Sequence, residues 1–160
     1  MRGWCKRRAL LALMVLMAVM CFGAQRSGHA EKQAQSDESQ TFSEADAQKL
    51  MAQIADGLIG QNPDELLSAF DRDRMPDYWS FADRIRQFFY TYQNFRVHYQ
   101  ILGATATESG KGMATADFQL EGDAPSNNTP GVAHSGELQL TCERSKNGWK
   151  ITNITRGFFQ

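Results

Sequence analysis

The apolar residues of this chain recur at one period up to Tyr92 and at another from Phe95 onward, and this change limits the fold more than any other feature. Before it, Leu50, Met51, Ile54, Leu58 and Ile59 fall at helical spacing, followed by Leu66, Leu67 and Phe70, then Phe81, Ile85, Phe88 and Phe89. After it the period is 2. Phe95, Val97, Tyr99 and Ile101 alternate with Arg96, His98 and Gln100, and Ala114, Ala116, Phe118 and Leu120 alternate with Thr115, Asp117, Gln119 and Glu121. Leu138, Leu140 and Cys142 do the same against Gln139, Thr141 and Glu143, and Trp149 and Ile151 begin a fourth run.

Local chemistry marks the boundaries. Ser43 followed three residues later by Asp46 is a near capping box, and Gly60 is expected to end the first helix in a left-handed conformation. Asn62-Pro63-Asp64-Glu65 opens a second helix with a cap, a proline and first-turn acids. A charged connection, Asp71 to Pro76, leads to a third helix from about Asp77 to Tyr92, burying Tyr78 or Trp79 with Phe81, Ile85, Phe88 and Phe89. Residues 109–112 and 146–148 read as turns, and the Gly-, Pro-, Asn- and Ser-rich stretch 122–136 reads as a loop. The apolar parity of the last strand slips near Thr152-Asn153 before Ile154, which predicts a bulge. Three helices followed by a meander with one apolar face is an α+β pattern: three N-terminal helices packed on one face of a curved antiparallel sheet of about four strands.

This order resembles the NTF2-like (SnoaL-like, cystatin-like cone) superfamily over residues 41–160. The resemblance is carried by Tyr78-Trp79-Ser80-Phe81 through Arg86-Gln87-Phe88-Phe89 running into Phe95–Ile101. Gly148-Trp149-Lys150-Ile151-Thr152-Asn153-Ile154, leading into Phe158-Phe159, adds to it. The resemblance implies a curved sheet wrapping the helices into a cone, sometimes around an apolar pocket. It implies no single activity, since such proteins include isomerases, dehydratases, dimerising modules and domains with no known reaction.

The N-terminus carries an export pattern: Arg2, Lys6, Arg7 and Arg8, then an apolar run from Ala9 to Phe22, then small residues. Residues 1–30 are expected to be a signal peptide, cut after Gly23 or Ala30, and 31–40 a polar flexible linker. The expected location is periplasmic or secreted. Acylation at Cys21 would call for a small residue before it, and Met20 is not small. Beyond Ala30 there are 12 basic residues against 18 acidic ones, a net charge of −6. A domain of that charge with no Lys/Arg cluster is a poor partner for nucleic acid. No membrane association is expected beyond the signal segment.

Chemistry is sparse. His98, His134 and Cys142 show no paired spacing, so no metal is expected, and no cofactor motif occurs. Cys142 shares the apolar parity of Leu138 and Leu140, which fits a buried, inert thiol. If the cone holds a pocket, Trp79, Phe89, Tyr99, Phe118 and Trp149 are the candidates to line it. Acid–base work would fall to Asp71, Asp73 and Tyr78, between the second and third helices. The polar parity set, with Arg96, His98, Gln100, Asp117 and Gln139, forms the outer sheet face, the surface through which the resemblance implies homodimers pair. The expected function is an exported, non-catalytic domain that binds a small apolar ligand, or associates with itself or with an envelope protein. The rivals are an isomerase or lyase acting on an apolar substrate, and a scaffold with a filled core.

Overall fold

The computed structural model describes residues 41–160 except 108, 127–129, 156–158 and 160. The expected signal and linker, and Phe158, lie outside the described residues. Three helices, α1 (Glu44–Ile59), α2 (Pro63–Ser68) and α3 (Tyr78–Thr91), precede four strands. These are β1 (Gln93–Ala106), β2 (Gly112–Asp123), β3 (Val132–Ser145) and β4 (Gly148–Ile154), a fully antiparallel meander in the order β1-β2-β3-β4. The α+β reading holds.

The helix starts follow the capping chemistry of the sequence. Ser43 Oγ accepts from the Asp46 N–H at 3.3 Å, and the Asp46 carboxylate accepts from the Ser43 N–H at 3.0 Å, a complete capping box. Asn62 Oδ1 caps α2 through the Glu65 N–H at 3.2 Å, with Pro63 in the first turn. Such caps stabilise a helix by about 1 kcal/mol each. The end of α1 differs from expectation. Gly60 keeps a right-handed φ of −74°, and Gln61 takes the left-handed step at φ 55°. Gly60 was favoured by the sequence because glycine meets no penalty in that region, but the turn into α2 places the reversal one residue later.

The predicted strand parity is realised. Across β1 and β2, Val97 pairs with Leu120, Tyr99 with Phe118 and Ile101 with Ala116, and across β2 and β3, Ala116 pairs with Leu138 and Ala114 with Leu140. Phe118, Leu120, Leu138, Leu140, Cys142 and Ile151 are fully buried against Met51, Ile54 and Leu58 of α1, Leu66 of α2 and Ile85 of α3. Phe88 stacks on Phe95 with ring centres 5.3 Å apart where α3 turns into β1. The predicted slip in β4 is a bulge: Cys142 pairs with Ile151 but Thr141 with Asn153, so Thr152 is the inserted residue. A parallel bridge between Phe70 and Ile151 attaches the chain after α2 to the free edge of β4.

Two local expectations are corrected and one alternative, between Tyr78 and Trp79, is resolved. Ile59 is exposed, because α1 buries the stripe through Leu50, Met51, Ile54 and Leu58 and Ile59 falls off its edge. Trp79 is 63 % exposed, while its neighbour Tyr78 packs against the core. Adjacent helical positions point about 100° apart, so only one of the two can face the sheet. The stretch 122–136 is largely strand: β2 runs to Asp123 and β3 begins at Val132.

The approach of α1 to α2 rests on Gly57. A Cβ there would lie 2.6 Å from the Leu66 backbone nitrogen, so any side chain forces the helices apart. Gly57→Ala gains about 1 kcal/mol in helix propensity but meets an overpacking cost of about 1–3 kcal/mol. Lower stability is expected in thermal or urea unfolding; a more stable variant would show that the helices have room to separate.

Candidate functional site

Large apolar side chains pack the interior between helices and sheet. Of the five residues proposed to line an apolar pocket, Phe118 and Trp149 are buried in the packed core and Phe89 is half-buried against Phe95 at 5.3 Å. Tyr99 is half-buried, with its hydroxyl accepting from Gln48 Nε2 at 2.9 Å. Burial, with Asp56 nearby, raises the Tyr99 phenol above its ordinary pKa. Trp79 stands outside, with the Arg72 guanidinium 5.8 Å from its ring centre. Cys142 is buried, and desolvation pushes its thiol up to about 12.

The acid–base candidates do not converge. Asp71 follows the bridge to β4, and its carboxylate accepts from the Asp73 and Arg74 N–H groups at 3.1 and 3.0 Å and from Arg74 Nε at 2.8 Å. Arg74 also reaches Glu143 at 3.1 Å, and Lys111 meets the other Glu143 oxygen at 2.7 Å. Burial alone would raise the Asp71 pKa, but the hydrogen bonds from Arg74 and from the Asp73 N–H outweigh it and hold it below the usual carboxylate range. Glu143 is lowered in the same way, chiefly by Lys111. Asp73 points to solvent, 85 % exposed, beside Arg72. This chain of charges fastens the α2–α3 connection to the sheet. Its carboxylates are engaged by Arg74 and Lys111, which lower their pKa values.

One imidazole also reaches the inner parity. His134 lies in β3 opposite Leu120, half-buried, because β3 starts six residues earlier than its apolar alternation suggests. Within the strand register its neighbours on that face are Leu120, Val132 and Gly136, and none is a carboxylate. Among the described residues no group of three or more His, Cys, Asp or Glu could hold a metal.

Open space lies beside α3 instead, as a groove of about 880 Å³. Asp77, Ser80, Phe81 and Arg84 line one wall at helical spacing, with Met75 and Pro76 before them. Leu140, Ile154 and Phe159, all nearly buried, also line it, with Thr141 and Asn153 as polar neighbours. The Thr152 bulge builds this wall, because only the shifted register sets Asn153 beside Thr141 and Ile154 beside Leu140. Gln139 and Thr155 also border it, but they are engaged: Gln139 Nε2 donates to Glu137 at 2.9 Å, and Thr155 Oγ1 accepts from the Gln139 N–H at 2.9 Å. Met113 completes the border.

None of the expected pocket residues lines this groove. Arg96, His98, Gln100, Asp117 and Gln139 are exposed on the outer sheet face as expected, and Gln139 alone of them also reaches the groove. Arg96 is held there by Glu121 at 3.0 Å and Asp123 at 3.2 Å. The sequence reading missed Ser80, Arg84 and Asn153. The signal available was the polar i, i+3, i+7 set Asp77, Ser80 and Arg84 flanking Phe81.

No protein-family model matches the chain, and no curated protein does. Solved structures do. A candidate aromatic ring hydroxylase from Novosphingobium aromaticivorans aligns with a TM-score of 0.62 at 17% identity, over 77% of this chain and 90% of that one. A candidate scytalone dehydratase from the same organism aligns with a TM-score of 0.59 at 12% identity, over 69% of this chain and 79% of that one. An NTF-2-like protein of unknown function from Shewanella oneidensis aligns with a TM-score of 0.52 at 10% identity, covering 69% and 94%. The fold is the NTF2-like α+β cone, with a curved, unclosed sheet.

The charge chain sets an acid limit. Carboxylates with depressed folded pKa values add stability above their unfolded values, near 4, and lose it as the pH falls through the folded ones. The melting temperature of the wild type should therefore fall steeply below about pH 4. Glu143→Gln should lower it at neutral pH and flatten that slope; an unchanged slope would mean that Glu143 is not ionically held.

Proposed function

We propose that this chain is an exported, non-catalytic NTF2-like domain that binds a small amphipathic molecule in the groove beside α3. The observation that carries this reading is the groove itself. It sets Phe81, Leu140, Ile154 and Phe159 alongside Ser80, Thr141, Asn153 and Arg84, so apolar and polar ligand surface are both served. The purely apolar ligand first expected would leave the polar half unmatched. Export is supported by the basic start and the apolar run from Ala9 to Phe22.

The non-catalytic part rests on the engagement of Asp71 and on the exposure of Asp73, which leave the acid–base reading without a poised group. The structural neighbours bear the names of different reactions, and one has none, so the fold supports no particular chemistry.

Native mass spectrometry of the purified full chain tests the binding. Wild type should retain a small molecule through gentle ionisation. Ser80→Trp, which fills the groove from an exposed helical position, should lose it while keeping its fold by circular dichroism. A ligand retained equally by both would move the site elsewhere.

A further inference from the structure

Among the described residues, every arginine but one is engaged by a carboxylate or a ring, and the exception faces the groove. Arg72 lies 3.6 Å from Asp73, Arg74 2.6 Å from Asp71, Arg86 3.5 Å from Asp83 and Arg96 3.0 Å from Glu121. Arg144 is engaged as well, with its guanidinium 5.8 Å from the Trp149 ring centre. Arg84 has no ion pair or hydrogen bond among the described residues, although acidic side chains outnumber basic ones along the chain beyond Ala30. It lines the groove one helical turn beyond Ser80, whose hydroxyl has no hydrogen bond among the described residues.

We propose that the groove takes an amphipathic monoanion, with its acid group on the Arg84 guanidinium and its apolar body against Phe81, Leu140, Ile154 and Phe159. A guanidinium offers a planar fork of donors that matches a carboxylate, and the Ser80 hydroxyl supplies a further donor beside it. The other charge on the same wall is Asp77, seven residues back, roughly 10 Å away along the helix axis. It repels a second acid group at the far end of the ligand and so selects against dianions. Glu137 stands close to the far wall but is bonded to Gln139 Nε2. The apolar stretch between the two charges is where a hydrocarbon or aromatic body would lie.

This inference rests on the ligand-binding reading above, and calorimetric titration of the full chain separates the two. The probes are decanoate, decan-1-ol, decylamine and decanedioate, each below its micellar concentration. Wild type should bind decanoate about fivefold more tightly than decanol, the scale of one partly exposed ion pair, and decylamine and decanedioate more weakly than decanoate. Arg84→Gln should abolish the preference for decanoate while leaving the melting temperature unchanged, and Arg84→Lys, which keeps the charge but loses the planar fork, should restore part of it. If all four probes bind wild type equally, or if Arg84→Gln keeps the preference, the monoanion assignment fails while the groove remains a binding site. If none of them binds, the ligand-binding reading falls and takes this assignment with it.

Discussion

Side chains on a strand alternate strictly between faces, and here one face of four strands must be dry at once. Phe118, Leu120, Leu138, Leu140 and Ile151 meet Met51, Ile54, Leu58 and Ile85 in a single layer. A register change of one residue in any strand would carry its apolar set into water and its charged set inward. Everything else accommodates this layer. Gly57 lets α2 come close enough to α1 to join it, and the Phe70–Ile151 bridge closes the edge of β4. The Thr152 bulge restores apolar parity at Ile154 after Asn153 has turned outward.

A filled layer decides where chemistry can occur. A cone with an empty interior can place a carboxylate against an enclosed substrate, whereas this one spends its interior on large side chains. The carboxylates nearest the connection between helices are bound into the Asp71–Arg74–Glu143–Lys111 chain, which ties loop to sheet. The groove lies where α3 begins and the sheet ends, and its walls are of mixed polarity.

The element order, the two faces of the sheet and the bulge were legible because each leaves a local periodic trace. Phe95, Val97 and Tyr99 against Arg96 and His98 need no tertiary information to interpret. What was hidden depends on packing between distant segments. Tyr78 and Trp79 are adjacent aromatics on one helix, and only the position of the sheet decides which is buried. His134 sits in a stretch whose glycines, proline and asparagines read as a loop, yet pairing with Leu120 makes it strand. The groove draws on residues 75–77, 80, 81, 84, 113, 139–141, 153–155 and 159, and no spacing rule links such separate stretches. Nothing in the sequence sets Arg84 apart; only the pairing of the neighbouring arginines among the described residues does.

Peptide-mapped maleimide labelling of the folded full chain tests the filled interior most directly, with Ser80→Cys as the reference. Cys142 is buried beneath the sheet with its thiol pushed up to about 12, while position 80 opens on the groove. A filled interior predicts rapid modification at position 80 and none at Cys142 until the protein is unfolded. Modification of native Cys142 at a rate near that of position 80 would show solvent inside the cone, and would return the binding site to the space between the helices and the sheet.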